Sequence, residues 1–72
     1  MTTWNYRIIK QEELDGHVYV IGRVYYEEGK PMGWSEASPC GTTLRELKQD
    51  AKMMEEAFYK PVLLENMKDA PL

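Results

Sequence analysis

The stretch "HVYVIGRVYYEEGK", His17 to Lys30, decides the fold, because it reads as a strand that is apolar on both of its faces. Val18, Val20 and Val24 point one way, while Tyr19, Ile21 and Tyr25 point the other, the pattern of a strand in the middle of a sheet. The chain has 72 residues and only one helical pattern to lay on such a sheet. Something else must cover the second face.

Upstream, Trp4, Tyr6 and Ile8 alternate with Asn5 and Arg7, the period of a strand with one buried side, and Ile9 then breaks the alternation. The segment "EELDGH" supplies a turn with Gly16, and "YEEGKP" repeats the device with Gly29. A type I turn closed by a glycine bulge at both places would set Tyr6, Val24 and Met32 in one row and Ile8, Gly22 and Trp34 in another. On that register Trp4, Tyr6, Ile8, Val18, Val20, Val24, Met32 and Trp34 form the core face, with Gly22 making room for the Trp34 indole. Arg7, Ile9, Tyr19, Ile21, Arg23 and Tyr25 form the opposite face. The division is sensitive: a one-residue slip in either turn moves a whole strand's side chains to the other side.

Downstream, "EASPCGTT" is a loop, and Thr43 with Glu46 has the spacing of a capping box at a helix start. Leu44, Leu47, Ala51, Met54 and Phe58 recur at steps of three and four, a stripe expected to face the sheet. Pro61 ends the helix by about Lys60. Val62, Leu63 and Leu64 either add a short fourth strand or pack an end of the core. The expected architecture is α+β, of order β-β-β-α, with a three-stranded antiparallel sheet and one helix on one face. It forms a single domain over residues 1–65, with a frayed tail over 66–72.

The composition limits the function. With 43% hydrophobic and 29% charged residues the chain is globular, and no apolar run approaches the roughly 20 residues of a membrane span. The start "MTTWNYRIIK" lacks the basic and apolar pattern of an export signal, so the expected compartment is the cytoplasm. A net charge of -3 argues against a general nucleic-acid binder. The single cysteine, Cys40, leaves no internal disulfide. There is no zinc spacing, phosphate loop or dinucleotide fingerprint, so no cofactor, metal or small-molecule substrate is expected. The acidic group Glu12, Glu13 and Asp15 reads as a solvated hairpin tip, and His17 and Cys40 as a turn residue and a loop residue. An enzyme using Cys40 and His17 would need those side chains within hydrogen-bond reach.

The face carrying Arg7, Ile9, Tyr19, Ile21, Arg23 and Tyr25 is the candidate partner-binding surface, because tyrosine and arginine are enriched where proteins meet. The expected function is non-catalytic: binding another protein, or a second copy in a twofold sandwich, with an antitoxin-like or inhibitor role as one form. The alternative is single-stranded RNA, with bases stacked on Tyr19 and Tyr25 and phosphates met by Arg7 and Arg23.

Three strands followed by "CGTTLRELKQDAKMMEEAF" resemble the small HicB-like domains of toxin-antitoxin systems, in which a proline-glycine-cysteine loop leads into a helix opening on Gly-x-Thr-x-x-Glu. Gly41, Thr43 and Glu46 match that opening, and Pro39 with Cys40 is similar to the loop in altered order. The resemblance covers about residues 17–60 and implies the β-β-β-α order and an antitoxin-like role. The stretch after Pro61 is too short for the DNA-binding segment that usually follows, and the family's acidic strand-to-loop pattern is missing around Trp34 to Ser38. The chain also resembles small stand-alone bacterial proteins that share "WNYR" near the start and "KPVL" after the helix, which implies a fold and no activity.

Overall fold

Two tight turns set the sheet. In the computed structural model, which describes residues 1–70, β1 (Thr2–Glu13), β2 (Gly16–Glu27) and β3 (Lys30–Glu36) precede α1 (Leu44–Glu55), a 3-10 turn (Glu56–Tyr59) and β4 (Leu63–Leu64). The four strands form one sheet in the order β3-β2-β1-β4, with β4 parallel to β1. The fold is α+β, and the run after Pro61 does supply the fourth strand.

The first turn differs from expectation. Only Leu14 and Asp15 lie between the paired Glu13 and Gly16, so Tyr6 stands opposite Arg23 and Ile8 opposite Ile21, not opposite Val24 and Gly22. That one-residue change turns β2 over relative to β1. In the second turn Glu28 and Gly29 have φ of 51° and 80°, the paired positive angles of a type I′ turn. Glu27 pairs with Lys30, and a bulge at Tyr25 and Tyr26 then brings Val24 opposite Trp34. Turn and bulge together displace β3 by an even step, so Val20, Val24 and Trp34 still share a face. Gly22 does make room there: a Cβ on it would lie 2.7 Å from Ile9 Cγ1 and 3.1 Å from Trp34 Cε3.

The sheet therefore carries a core on each face. On the helix side Tyr6, Ile8, Met54 and Ala57 are buried, with Ile21, Ala37 and Val62 packed against them. On the other side Ile9, Val24 and Leu63 are buried, joined by Val20, Tyr26, Trp34 and Met67. The cover there is the chain after Pro61. Met67, at φ 69°, turns it back, and bonds from Leu64 N to Lys68 O (2.8 Å) and from Ala70 N to Val62 O (2.9 Å) hold the return. Residues 66–70, expected to fray, are thus hydrogen-bonded against the sheet, and the last two of that expected tail, 71 and 72, lie outside the described residues. Arg7 fastens the turn: its Nε and Nη2 donate to the Pro61 carbonyl at 3.0 and 2.7 Å, and its Nη1 donates to the Tyr26 hydroxyl at 2.7 Å.

The helix starts and stops where its sequence dictates. Thr43 Oγ1 accepts the Glu46 amide at 3.1 Å, and Lys60 is extended just before Pro61. The reciprocal arm reaches one residue further back, since Glu46 accepts chiefly from the Thr42 amide (2.9 Å) and hydroxyl (2.8 Å). The loop before it is seated tightly: a Cβ on Gly41 would lie 2.6 Å from the Leu47 amide nitrogen. The rotation of the helix is the larger correction. Its sheet-facing line runs Asp50, Met54, Ala57, because the Tyr6 hydroxyl reaches Asp50 Oδ1 (3.3 Å) and the 3-10 turn brings Ala57 inward. Leu44, Leu47 and Phe58 are left 66%, 37% and 65% exposed, and Ala51 is exposed as well.

Candidate interaction surface

Because α1 and its 3-10 turn pack on β1, the β2 and β3 half of the helix-side face has no helix above it. Cross-strand pairing decides which side chains stand there. Trp4 faces Tyr25, Tyr6 faces Arg23, Ile8 faces Ile21 and Lys10 faces Tyr19. Trp4, Tyr19 and Tyr25 remain exposed, and Ile21 and Arg23 are half-buried.

Arg23 organises the middle of this surface. Its guanidinium carbon sits 4.8 Å from the Trp4 ring centroid and 5.7 Å from that of Tyr6, within the range of cation-π attraction. Trp4 and Tyr6 meet edge to face at 5.2 Å. Arg23 Nη2 donates to the Tyr6 hydroxyl (3.3 Å), which donates to Asp50 Oδ1, and the other Asp50 oxygen accepts the Cys40 amide at 3.0 Å. The hydroxyl of Tyr6, and after it that of Tyr25, raises the Arg23 pKa above its ordinary value. The Arg23 Nε is buried without a partner. A buried donor with no acceptor costs stability.

Beyond Ile21 the patch runs into a groove of about 350 Å³ lined by Ile8, Tyr19, Ile21, Phe58, Lys60 and Val62. Its walls are mostly aliphatic and aromatic, and Phe58 forms its helical side.

The six residues expected to share one face are divided. Tyr19, Ile21, Arg23 and Tyr25 stay together on the half-covered side. Arg7 and Ile9 lie on the opposite side, where Ile9 is fully buried and Arg7 is spent on Pro61 and Tyr26. The cause is the two-residue first turn. The same turn adds Trp4, which the expected register had assigned to the core face, and the helix rotation adds Phe58. Reading "LD" as a two-residue turn would have found Trp4 from sequence, since it then falls opposite Tyr25. No comparable signal marks Phe58, whose spacing is that of a core residue.

The residues with chemical potential do not meet. His17 packs edge to face on Tyr19 at 5.1 Å, while Cys40 is an exposed free thiol whose backbone is held by Asp50. Among the described residues no group of three or more His, Cys, Asp or Glu gathers as a metal site, and no helix is long and apolar enough to cross a membrane. No family model, curated protein or solved structure matches the chain.

Proposed function

We propose that this chain is a small non-catalytic binding protein of the cytoplasm, which docks another protein on the uncovered half of its helix-side face. One observation carries the reading: Trp4, Tyr19, Ile21, Arg23, Tyr25 and Phe58 form a continuous aromatic and aliphatic surface with an arginine at its centre, and the fold leaves it open. Tryptophan, tyrosine and arginine are the residue types that dominate binding energy at protein interfaces. The surrounding polar groups, Asp50 and the Tyr6 hydroxyl, fix Arg23 before any partner arrives, which lowers the ordering cost of binding. An antitoxin-like or inhibitor role is one form of this function, supported by the strand order and by the Gly41, Thr43 and Glu46 helix start. The twofold sandwich of this face loses support, because two of its expected contributors, Arg7 and Ile9, lie on the other side.

The single-stranded RNA reading draws on the same aromatic residues, yet it has lost one of its two cations. Arg7 is turned away and hydrogen-bonded, which leaves Arg23 as the one arginine of the expected pair on this face, in a chain of net charge -3. The test is a photo-crosslinking residue placed at Tyr25 or, as a control, at Lys52 on the outer helix face, in cells that make the protein. Protein adducts from position 25 and none from position 52 are expected. Adducts to RNA from position 25, or equal protein adducts from both, would overturn the assignment.

A further inference from the structure

β2 is longer than the strand that protects it. β3 pairs with Gly22 to Glu27, and the last contact of that ladder is the Ala37 amide donating to the Ile21 carbonyl at 2.9 Å. Gly16 to Val20 therefore pair with β1 on one side only. Since Ile21 aims its backbone groups toward β3, alternation aims those of Tyr19 and His17 the same way. Among the described residues no hydrogen bond reaches them from that side.

The other edges of the sheet are guarded. β3 begins with Lys30 and Pro31 and carries the bulge opposite Tyr25 and Tyr26, all devices that discourage strand addition. β4 is two residues long and its outer side is met by the returning chain, with Leu63 bridged to Asp69. The stretch Gly16 to Val20 has none of these protections. It holds no charged residue and no proline, and three of its five residues, Val18, Tyr19 and Val20, favour strands.

We propose that Gly16–Val20 is a self-pairing edge, at which a second copy of this chain adds the same segment antiparallel about a twofold axis through Val18. Three features fit a second copy. Pairing about Val18 sets His17 opposite the partner's Tyr19 in both directions, so the open backbone groups of each are used, about four hydrogen bonds in all. The segment is uncharged, so the twofold places no like charges opposite one another. The pairing is also bounded in the right place: Ile21 would fall opposite the partner's Asp15, where the hairpin has already turned back toward β1 and vacates the lane that Ala37 needs. The result is one continuous sheet of eight strands, counting about four from each copy. Its helix-side face joins the two aromatic surfaces where each Tyr19 stands opposite the other copy's His17. The edge is made by backbone groups and the proposed docking face by side chains, with Tyr19 contributing to both.

The test is sedimentation across a concentration series, combined with amide hydrogen exchange on the same samples. Association is expected to appear as concentration rises toward about 1 mM, the range of a small interface, with the Tyr19 and His17 amides becoming protected in step. Val18→Lys, which sets two lysines face to face at the axis, should weaken association by about tenfold or more. Val18 is 39% exposed, so the fold should persist, and circular dichroism checks it. Trp4→Ser, on the docking face and away from this edge, should leave association unchanged while weakening the crosslinks from position 25, so the two proposals fail separately. A strict monomer at that concentration, or a dimer whose Tyr19 amide exchanges freely, would overturn the pairing.

Discussion

The two faces of the sheet are covered by opposite means, and the less regular cover buries more completely. On the helix side, twelve residues of regular helix contribute one buried side chain, Met54, and much of the apolar stripe stays in solvent. On the other side a chain with two residues of strand seals Ile9, Val24 and Leu63 to 1% exposure or less. The difference lies in what orients each cover. The helix is rotated by a polar link, Tyr6 to Asp50, whereas the tail is placed by Leu63 beside Ile9 and by the Arg7 guanidinium on the Pro61 carbonyl. Amphipathic pattern alone does not say which residues of a helix are buried. A fold that leaves part of its apolar stripe open keeps surface available for a partner.

The sharpest way to break this comparison is to truncate one residue from each cover. Leu63→Ala should cost about 2–5 kcal/mol, a large part of the stability of so small a domain, while Phe58→Ala should change it by about 0.5 kcal/mol or less. Urea unfolding of the two variants measures both, and equal losses would mean that the helix flank is packed after all. The two arginines repeat the contrast. Arg7→Met leaves the Pro61 carbonyl without its donors and should cost about 1.5–3 kcal/mol, whereas Arg23→Met gives up chiefly ring contacts and should cost about 0.5–1 kcal/mol. Protease sensitivity after Pro61 should rise in the Arg7 variant and stay unchanged in the Arg23 variant.

What could be read from sequence was local, and what escaped was relative placement. The strand of Trp4, Tyr6 and Ile8, the cap at Thr43 and the stop before Pro61 each depend on a few adjacent residues, and each is found as expected. The faces depend on parity. Gly16 can close a glycine bulge or open a strand, and nothing within "EELDGH" distinguishes the two; the choice moves Arg7 and Ile9 out of the candidate surface and Trp4 into it. In the second hairpin the turn and the bulge displaced the register evenly, so the grouping of Val20, Val24 and Trp34 was still legible. The helix rotation was hidden because Asp50, a charged residue, sits on the line that faces the sheet.

Smaller effects sharpen the helix side. Thr43→Ala should lose about 0.5–2 kcal/mol by removing the acceptor of the Glu46 amide, read as a lower denaturation midpoint with an unchanged slope. The Glu46 carboxylate is held below the ordinary glutamate pKa, first by the Thr42 hydroxyl and then by the Thr42 amide. A depressed folded pKa gives stabilisation that is present above the unfolded carboxylate's pKa and is lost as pH falls through the folded value. In an NMR titration Glu46 should therefore protonate below the ordinary glutamate range, and Thr42→Val, which removes the hydroxyl but keeps the amide, should bring it part of the way back.

The register of the first hairpin decides which side chains share the exposed face, and it is open to one direct measurement. In an antiparallel ladder the Hα atoms of non-hydrogen-bonded pairs lie close together, and because β2 turns its odd-numbered backbone groups toward β3, those pairs with β1 are Ile8 with Ile21 and Tyr6 with Arg23. A nuclear Overhauser spectrum in heavy water should show strong Hα to Hα cross-peaks for both. Cross-peaks pairing Ile8 with Gly22 and Tyr6 with Val24 instead would contradict it, returning Tyr19, Ile21, Arg23 and Tyr25 to the side of Arg7 and Ile9.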